Sequence, residues 1–91
     1  MRYESINVNE ATIVDVREPE ECAQGMVEGS INIPLGDVPN NIEEFKNMKK
    51  PLILCCKSGG RSGQAVDFLK AHGLEDLYNG GAWGDVKSKM V

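Results

Sequence analysis

The residues best suited to chemistry form one short segment, residues 55–63, which reads CCKSGGRSG. A thiol is followed by a glycine-rich loop whose backbone N–H groups can turn inward and form an anion-binding nest. Gly59 and Gly60 permit the backbone dihedral angles that such a loop needs. Lys57 and Arg61 add positive charge. Because these groups favour the charged form of a thiol, the segment predicts a cysteine thiolate at neutral pH.

Two adjacent cysteines begin this segment, and their positions predict different roles. Cys55 ends an apolar stretch and is expected to be a core residue, since free cysteine is among the most often buried residue types. Cys56 stands at the mouth of the loop and is the predicted nucleophile. Lys57 is expected to face the entrance and attract anions. Two roles remain open for Arg61, which either binds an anionic substrate or braces the loop by pairing with a carboxylate.

A strand and a helix are predicted to position this loop. Residues 51–56 (PLILCC) are apolar throughout, which is typical of a strand buried on both faces. Residues 61–72 predict a helix, and Gly73 is placed to end it as a left-handed cap. The N-terminus of this helix adds partial positive charge beside Cys56.

Strands and helices alternate along the rest of the chain. Further strands are predicted at residues 11–17, 30–34 and 77–78, with a turn at 79–81 and an edge strand before Asn9. Further helices are predicted to begin at Glu18, near Asn41 and at Trp83. This alternation predicts one α/β domain over residues 1–91, with a mostly parallel sheet of four or five strands flanked by helices. In such sheets ligands bind beyond the carboxyl ends of the strands, which indicates the loop after Cys56.

Charge and composition narrow the classes of partner. The net charge is −4, and phosphate binding needs clustered Lys and Arg, so neither nucleic acid nor a membrane surface is an expected partner. Residues 1–44 hold ten acids and two bases, whereas residues 45–91 hold four acids and eight bases. The second half is therefore the expected place for a small anion.

The cysteine count and the N-terminal sequence bear on location. The three cysteines are an odd number and show neither zinc-ligand spacing nor a disulfide framework, which favours a reducing compartment. Residues 1–6 contain no long apolar stretch, so neither a signal peptide nor a membrane span is predicted. The expected location is cytoplasmic.

Four stretches of the sequence resemble the signatures of rhodanese domains. The loop CKSGGRS at residues 56–62 is similar to the Cys-x-x-Gly-x-Arg-Ser active-site pattern, and the other three are IVDVREPEE at 13–21, EGSINIPL at 28–35 and NGG at 79–81. The four stretches occur in the order seen in the family, and the resemblance in order and spacing covers about residues 9–86. The run 59–65 is most similar to the small single-domain thiosulfate sulfurtransferases of the phage-shock type. Met26 departs from the pattern, because histidine is common there, and Trp83 lies closer to the NGG turn than is usual.

This resemblance implies a rhodanese-like fold and a sulfurtransferase. Such an enzyme moves a sulfane sulfur from a small anionic donor such as thiosulfate to a thiophilic acceptor, either cyanide or a thiol. Cys56 would carry the sulfur as a persulfide, which is covalent nucleophilic catalysis. No metal or cofactor is implied, and we expect a monomer. The implied substrate-binding residues are Lys57, Ser58, Gly59, Gly60, Arg61 and Ser62.

Two other functions remain open. A phosphatase or arsenate reductase of related fold uses a Cys-x5-Arg loop, and the count from Cys55 to Arg61 gives that spacing. Two observations weigh against this alternative. The rhodanese pattern has glycine three residues after its cysteine, and this fits Cys56 with Gly59 but not Cys55, which has Ser58 at that distance. The phosphatase class also usually has histidine before its nucleophile, where this chain has Leu54. The domain is alternatively a persulfide carrier or a binding module that needs a partner protein. The sequence does not decide the physiological donor or acceptor.

Overall fold

A parallel β-sheet forms the centre of the computed structural model, which describes residues 6–90. Within that range the sheet has four strands in the order β2-β1-β3-β4, and each pair of neighbours runs parallel. This confirms the predicted α/β fold with a mostly parallel sheet. The strands are β1 (Thr12–Asp15), β2 (Ile31–Asn32), β3 (Leu52–Cys56) and β4 (Leu77–Ala82).

Helices connect and cover the strands. Two short 3-10 helices, Val8–Glu10 and Leu35–Asn41, precede β1 and α2. Among the helices of residues 6–90, none has both the length and the apolar character needed to cross a bilayer. The α-helices in this range are α1 (Pro19–Cys22), α2 (Ile42–Asn47), α3 (Gly60–Ala71) and α4 (Trp83–Ser88).

Strand β3 is buried on both faces, because every one of its residues is apolar and lies between two cores. Leu54 and Cys56 belong to the core that contains Leu69 of α3. Ile53 and Cys55 belong to the core on the other side of the sheet. Since successive side chains of a strand point to opposite faces, the two adjacent cysteines lie on opposite sides of the sheet.

The end of α3 follows the sequence-based expectation. Gly73 has a φ of 91°, the left-handed conformation that glycine adopts without a steric penalty. Its N–H donates to the Lys70 carbonyl at 3.0 Å, and the Leu74 N–H donates to the Leu69 carbonyl at 3.1 Å. These two bonds make a Schellman motif, and Leu69 and Leu74 lie in the same core cluster.

Strand β4 is longer than the sequence predicts. A turn was expected at residues 79–81, but the strand continues to Ala82. Leu54 pairs with Asn79 and Cys55 pairs with Gly81, so Gly80 is an extra residue in β4. The glycines therefore form a β-bulge within a strand rather than a turn that ends it.

Close packing explains why glycine occupies the bulge. A Cβ atom at Gly80 would lie 2.7 Å from Ile53 Cγ2 and 2.8 Å from Val86 Cγ2, distances that side chains do not tolerate. At Gly81 the φ of 78° again requires the left-handed region. The requirement at Gly80 comes from tertiary packing, which the local pattern of the sequence does not report.

Other boundaries also differ from the predictions. The edge strand expected before Asn9 falls partly on residues 1–5, outside the described residues, and no strand forms at residues 6–8. Instead, Asn7 caps a 3-10 helix by accepting a hydrogen bond from the Asn9 N–H at 3.0 Å. The last helix begins at Trp83, as predicted, and ends at Ser88, whereas strand β2 is only two residues long.

Candidate active site

Cys56 is the last residue of β3, and its loop leads directly into α3. The residue is only 1% exposed, and the helix begins four positions later at Gly60. The carboxyl end of a central parallel strand therefore meets the N-terminus of the longest helix. This arrangement points backbone N–H groups and the positive end of the helix dipole toward the thiol.

Three hydrogen bonds converge on the sulfur atom of Cys56. The Gly59 N–H donates to Sγ at 3.0 Å, and the N–H and hydroxyl of Ser62 each lie 3.4 Å from it. Gly59 has a φ of 104°, so glycine is needed where the loop turns its N–H inward. The loop thus places a nest of donors around one sulfur.

These donors decide the ionisation of the thiol. Burial opposes the charged form of Cys56, but the hydrogen bonds from the Ser62 hydroxyl and from the N–H groups of Ser62, Ser58 and Gly59 outweigh it. The net result is a pKa lowered to about 7. A substantial fraction of Cys56 is therefore thiolate at neutral pH, and the thiolate is the nucleophilic form of cysteine.

The other cysteines are held in the neutral form. Burial, aided by the nearby Asp15 carboxylate, raises the pKa of Cys55 to about 12. Cys55 is 0% exposed and faces the core opposite to Cys56. Burial also raises the pKa of Cys22, which packs inward from the end of α1. Of the three thiols, Cys56 has the environment of a nucleophile.

Asn79 on β4 joins the loop to the neighbouring strand. Its Oδ1 accepts hydrogen bonds from the Ser62 hydroxyl at 2.6 Å and from the Gly81 N–H at 2.9 Å. Its Nδ2 donates to the Gly59 carbonyl at 3.0 Å. The sequence analysis placed Asn79 in a turn and gave it no role at the site. The signal that points to it is a polar residue near the carboxyl end of a strand predicted to neighbour β3.

Arg61 makes a two-point ion pair with Glu21. Its Nη1 and Nη2 lie 2.7 and 3.0 Å from the two carboxylate oxygens of Glu21 on α1. Hydrogen bonding from Arg61, aided by the Glu18 N–H, lowers the pKa of Glu21 to about 2. Of the two roles left open for Arg61, this contact is the bracing one. Binding of substrate by Arg61 stays a prediction.

A buried ion pair lies beneath the same edge of the sheet. Arg17 Nε and Nη2 donate to the Asp15 carboxylate at 2.8–3.0 Å, and Nη2 also donates to the Gly25 carbonyl at 2.7 Å. The guanidinium carbon lies 4.7 Å from the centre of the Trp83 ring, within the range of a cation–π contact. These contacts give Asp15 and Arg17 a structural role at the end of β1.

A cleft of about 280 Å³ opens beside the Cys56 loop. Two of its charged groups are already paired, Arg17 with Asp15 and Glu21 with Arg61. Lys57 is exposed and makes no ion pair with any of residues 6–90, so it gives the cleft positive charge. The lining residues are Arg17, Glu21, Gln24, Lys57 and Trp83.

The remaining predicted site residues lie on the outer side of the loop. Ser58 and Gly60 are exposed, and no atom lies within 4 Å of a Cβ built on Gly60. The structure thus brings Gly59 and Ser62 to the sulfur and directs Arg61 to Glu21. Lys57, Ser58 and Gly60 face solvent. Their binding of substrate is a prediction.

Comparison with known proteins places the geometry in a family. Residues 3–83 match the family model described as the rhodanese-like domain. The chain is 38% identical over 84 residues to the uncharacterized protein YqhL of Bacillus subtilis (strain 168), covering 87% of this chain and 66% of YqhL. It is 36% identical over 79 residues to thiosulfate sulfurtransferase PspE of Escherichia coli (strain K12), covering 86% of this chain and 76% of PspE.

The fold agrees with a solved structure of the same family. The structure described as rhodanese with anions from E. coli superimposes with a TM-score of 0.74 at 34% identity, covering 82% of this chain and 89% of that chain. The match to PspE confirms the resemblance to the small rhodaneses of the phage-shock type. The matched region contains the whole sheet and the Cys56 loop. The chain belongs to the rhodanese-like domain family.

Proposed function

We propose that this protein is a sulfurtransferase in which Cys56 carries a sulfane sulfur as a persulfide. The observation that carries the proposal is the set of three donors around Cys56 Sγ, which favours a thiolate in a nearly buried position. The 36% identity to a thiosulfate sulfurtransferase supports thiosulfate as the donor.

The first half-reaction forms the persulfide. The Cys56 thiolate attacks the outer sulfur of thiosulfate, a new S–S bond forms, and the S–S bond of thiosulfate breaks. Sulfite leaves with the bonding electron pair, and the negative charge remains on the outer sulfur of Cys56. No general base is needed, because the nucleophile has already lost its proton.

The second half-reaction returns the enzyme to its starting state. A thiophilic acceptor, cyanide in an assay or a thiolate in other settings, attacks the outer sulfur. The S–S bond of the persulfide breaks, its electron pair returns to Cys56 Sγ, and thiocyanate or a new persulfide leaves. The same donors then stabilise the regenerated thiolate.

The charge of the cleft supports an anionic donor. Lys57 lies beside Cys56 and has no ion-pair partner among residues 6–90, so it is available to a small anion. Arg17 and Arg61 are each paired with a carboxylate, Asp15 and Glu21 respectively. We therefore assign the attraction of the donor to Lys57 and to the loop N–H groups.

The alternative that uses Cys55 has less support. A phosphatase or arsenate reductase needs a thiolate at Cys55, yet burial raises the pKa of that thiol to about 12. Cys55 also faces the core on the side of the sheet away from the loop donors. No loop N–H group donates to it among the hydrogen bonds of the described residues.

The test is a thiosulfate to cyanide sulfur-transfer assay on purified protein, followed by the thiocyanate formed. Cys56→Ala and Cys55→Ala serve as matched variants, because they delete neighbouring thiols on opposite faces of one strand. We expect turnover in the unmutated protein and in Cys55→Ala, and none in Cys56→Ala. Mass spectrometry after thiosulfate alone should show one added sulfur on Cys56.

Two results would redirect the assignment. Phosphate or arsenate chemistry that depends on Cys55, without thiocyanate formation, would replace it with the phosphatase alternative. A persulfide on Cys56 that cyanide does not remove, and that passes only to an added protein, would make the domain a partner-dependent carrier.

A further inference from the structure

Asn79 contacts the Cys56 loop from outside it. The loop and α3 are continuous in sequence, but Asn79 lies on β4, seventeen residues beyond Ser62. Its amide contacts the loop at two points, the Gly59 carbonyl and the Ser62 hydroxyl. Gly59 and Ser62 each also donate a backbone N–H to Cys56 Sγ.

The orientation of the Asn79 amide follows from its partners. The Gly81 N–H can only donate, so the atom that faces it at 2.9 Å must be the acceptor Oδ1. The Nδ2 group is thereby directed at the Gly59 carbonyl, which can only accept. One side chain thus satisfies a donor from β4 and an acceptor from the loop in a single orientation.

The backbone of β4 and the glycines of the loop admit this side chain. The bulge at Gly80 changes the register between Asn79 and Gly81, and bulges redirect side chains next to active sites. A Cβ on Gly63 would lie 3.2 Å from Asn79 Nδ2, closer than ordinary van der Waals contact. A Cβ on Gly59 would lie 3.3 Å from Gly81 Cα. Glycine at these positions leaves the space that the amide occupies.

We propose that Asn79 is a positioning residue for sulfur transfer, which holds the Gly59 carbonyl so that the Gly59 N–H stays directed at Cys56 Sγ. This inference rests on the proposed role of Cys56 as nucleophile. Asn79 touches neither the sulfur nor the substrate and acts through the loop.

Gly59 is where such a tether matters most. It makes the shortest hydrogen bond to the sulfur, and it lacks the Cβ that restricts the backbone of other residues. Its carbonyl is held by Asn79 Nδ2 and by the Gly63 N–H at 2.9 Å. Removing the amide leaves the Gly59 carbonyl with only the Gly63 N–H as its partner, so the backbone on both sides of the Gly59 Cα is less restrained and the Gly59 N–H can leave the sulfur.

Ser62 gives Asn79 a second effect of opposite sign. The Ser62 hydroxyl has one proton and two neighbouring acceptors, Asn79 Oδ1 at 2.6 Å and Cys56 Sγ at 3.4 Å. Loss of the Oδ1 acceptor would release that proton to the thiolate and favour its charged form. A measurement of the thiol pKa therefore separates the Gly59 tether from competition for the Ser62 proton.

The experiment measures the rate of iodoacetamide alkylation of Cys56 against pH, with the modified peptide identified by mass spectrometry. Asn79→Ala is compared with Asn47→Ala, an exposed asparagine at the far end of α2. We expect the apparent pKa of Cys56 to rise by about one unit in Asn79→Ala, as for loss of one hydrogen bond to a charged group. Asn47→Ala should leave it unchanged.

Two further variants sharpen the result. Asn79→Asp keeps the acceptor for Gly81 but loses the donor and adds a negative charge, so it should raise the pKa further, and it serves where Asn79→Ala does not fold. Asn79→Ala in a Ser62→Ala background removes the hydroxyl from the comparison. The rise should persist there, because the Gly59 tether is still lost.

The inference is overturned if the alkylation pKa of Asn79→Ala is unchanged while its urea midpoint falls, since Asn79 would then only stabilise the fold. A lowered pKa, or a rise that disappears in the Ser62→Ala background, would also overturn it. Because alkylation reports the thiol without sulfur transfer, the two proposals fail separately. A shifted pKa in a protein that forms neither a Cys56 persulfide nor thiocyanate would refute the proposed function and leave Asn79 as a residue that positions the Gly59 N–H at the Cys56 thiol.

Discussion

The buried pair of Asp15 and Arg17 gives the most demanding test of the energetics. Asp15 is 0% exposed and Arg17 is 4% exposed. The carboxylate accepts hydrogen bonds from Arg17 Nε, Nη2 and the backbone N–H at 2.8–3.0 Å. Asp15→Ala would remove all of these acceptors and leave the guanidinium buried with only the Gly25 and Glu21 carbonyls and the Trp83 ring as partners.

The expected cost of Asp15→Ala is large for a domain of this size. Removing one member of a buried pair costs about 3–5 kcal/mol, because the remaining charge is left without compensation. A chain of 91 residues has a free energy of unfolding of about 5–14 kcal/mol, at roughly 0.05–0.15 kcal/mol per residue. The variant is therefore expected to lose about a fifth or more of its stability.

The assay is urea denaturation, compared across two control variants. The double variant Asp15→Leu with Arg17→Met removes both charges and should be more stable than Asp15→Ala. Glu43→Ala breaks the exposed pair with Lys46, whose atoms lie 3.6 Å apart, and should cost less than about 1 kcal/mol. If Asp15→Ala costs no more than Glu43→Ala, the argument from burial is refuted.

The Cys56 thiol, the bulge at Gly80 and the charge of Lys57 each allow further measurements. Despite burial, hydrogen bonds lower the pKa of Cys56 to about 7, so sulfur transfer should fall about tenfold per unit as pH drops below 7 and level off above it. The lowered pKa also stabilises the folded chain at pH values above about 8.5, the ordinary pKa of a thiol in the unfolded chain. This contribution to stability should be lost as the pH falls through 7, and urea midpoints measured across this pH range would show the loss. Gly80→Ala should lower the free energy of unfolding by about 1–3 kcal/mol, because the added Cβ would crowd Ile53 and Val86. Gly84→Ala should not destabilise the fold, since no atom lies within 4 Å of a Cβ built there. Equal urea midpoints for the two variants would contradict this prediction. Lys57→Gln should raise KM for thiosulfate several-fold with little change in kcat, and it should weaken the dependence of kcat/KM on ionic strength. An unchanged dependence on ionic strength would show that Lys57 does not attract the donor.

The central strand and the loop could be predicted because their signals are local. Residues 51–56 are apolar throughout, and the observed strand is Leu52–Cys56. The helix predicted at residues 61–72 is observed as Gly60–Ala71 with its Schellman end. Glycine spacing and hydrophobic periodicity act within a few residues of the chain, so one sequence reports them directly.

The supports of the site could not be predicted, since they come from distant parts of the chain. Glu21 reaches Arg61 across forty residues, and the sequence analysis named a carboxylate without identifying which one. Asn79 and Gly80 have the composition of a turn, and only the packing of Gly80 against Ile53 makes them part of a strand. A local pattern carries no information on which of two such structures the core permits.

The alternation of side chains along β3 has a consequence for the lifetime of carried sulfur. Cys55 and Cys56 are neighbours in the chain, yet the thickness of the sheet lies between their sulfur atoms. The backbone therefore separates the Cys56 thiol from the Cys55 thiol, so a persulfide on Cys56, as proposed, would not be resolved by Cys55 as an internal disulfide. Under the proposed function, the unloading of Cys56 would then depend on a molecule that diffuses into the cleft.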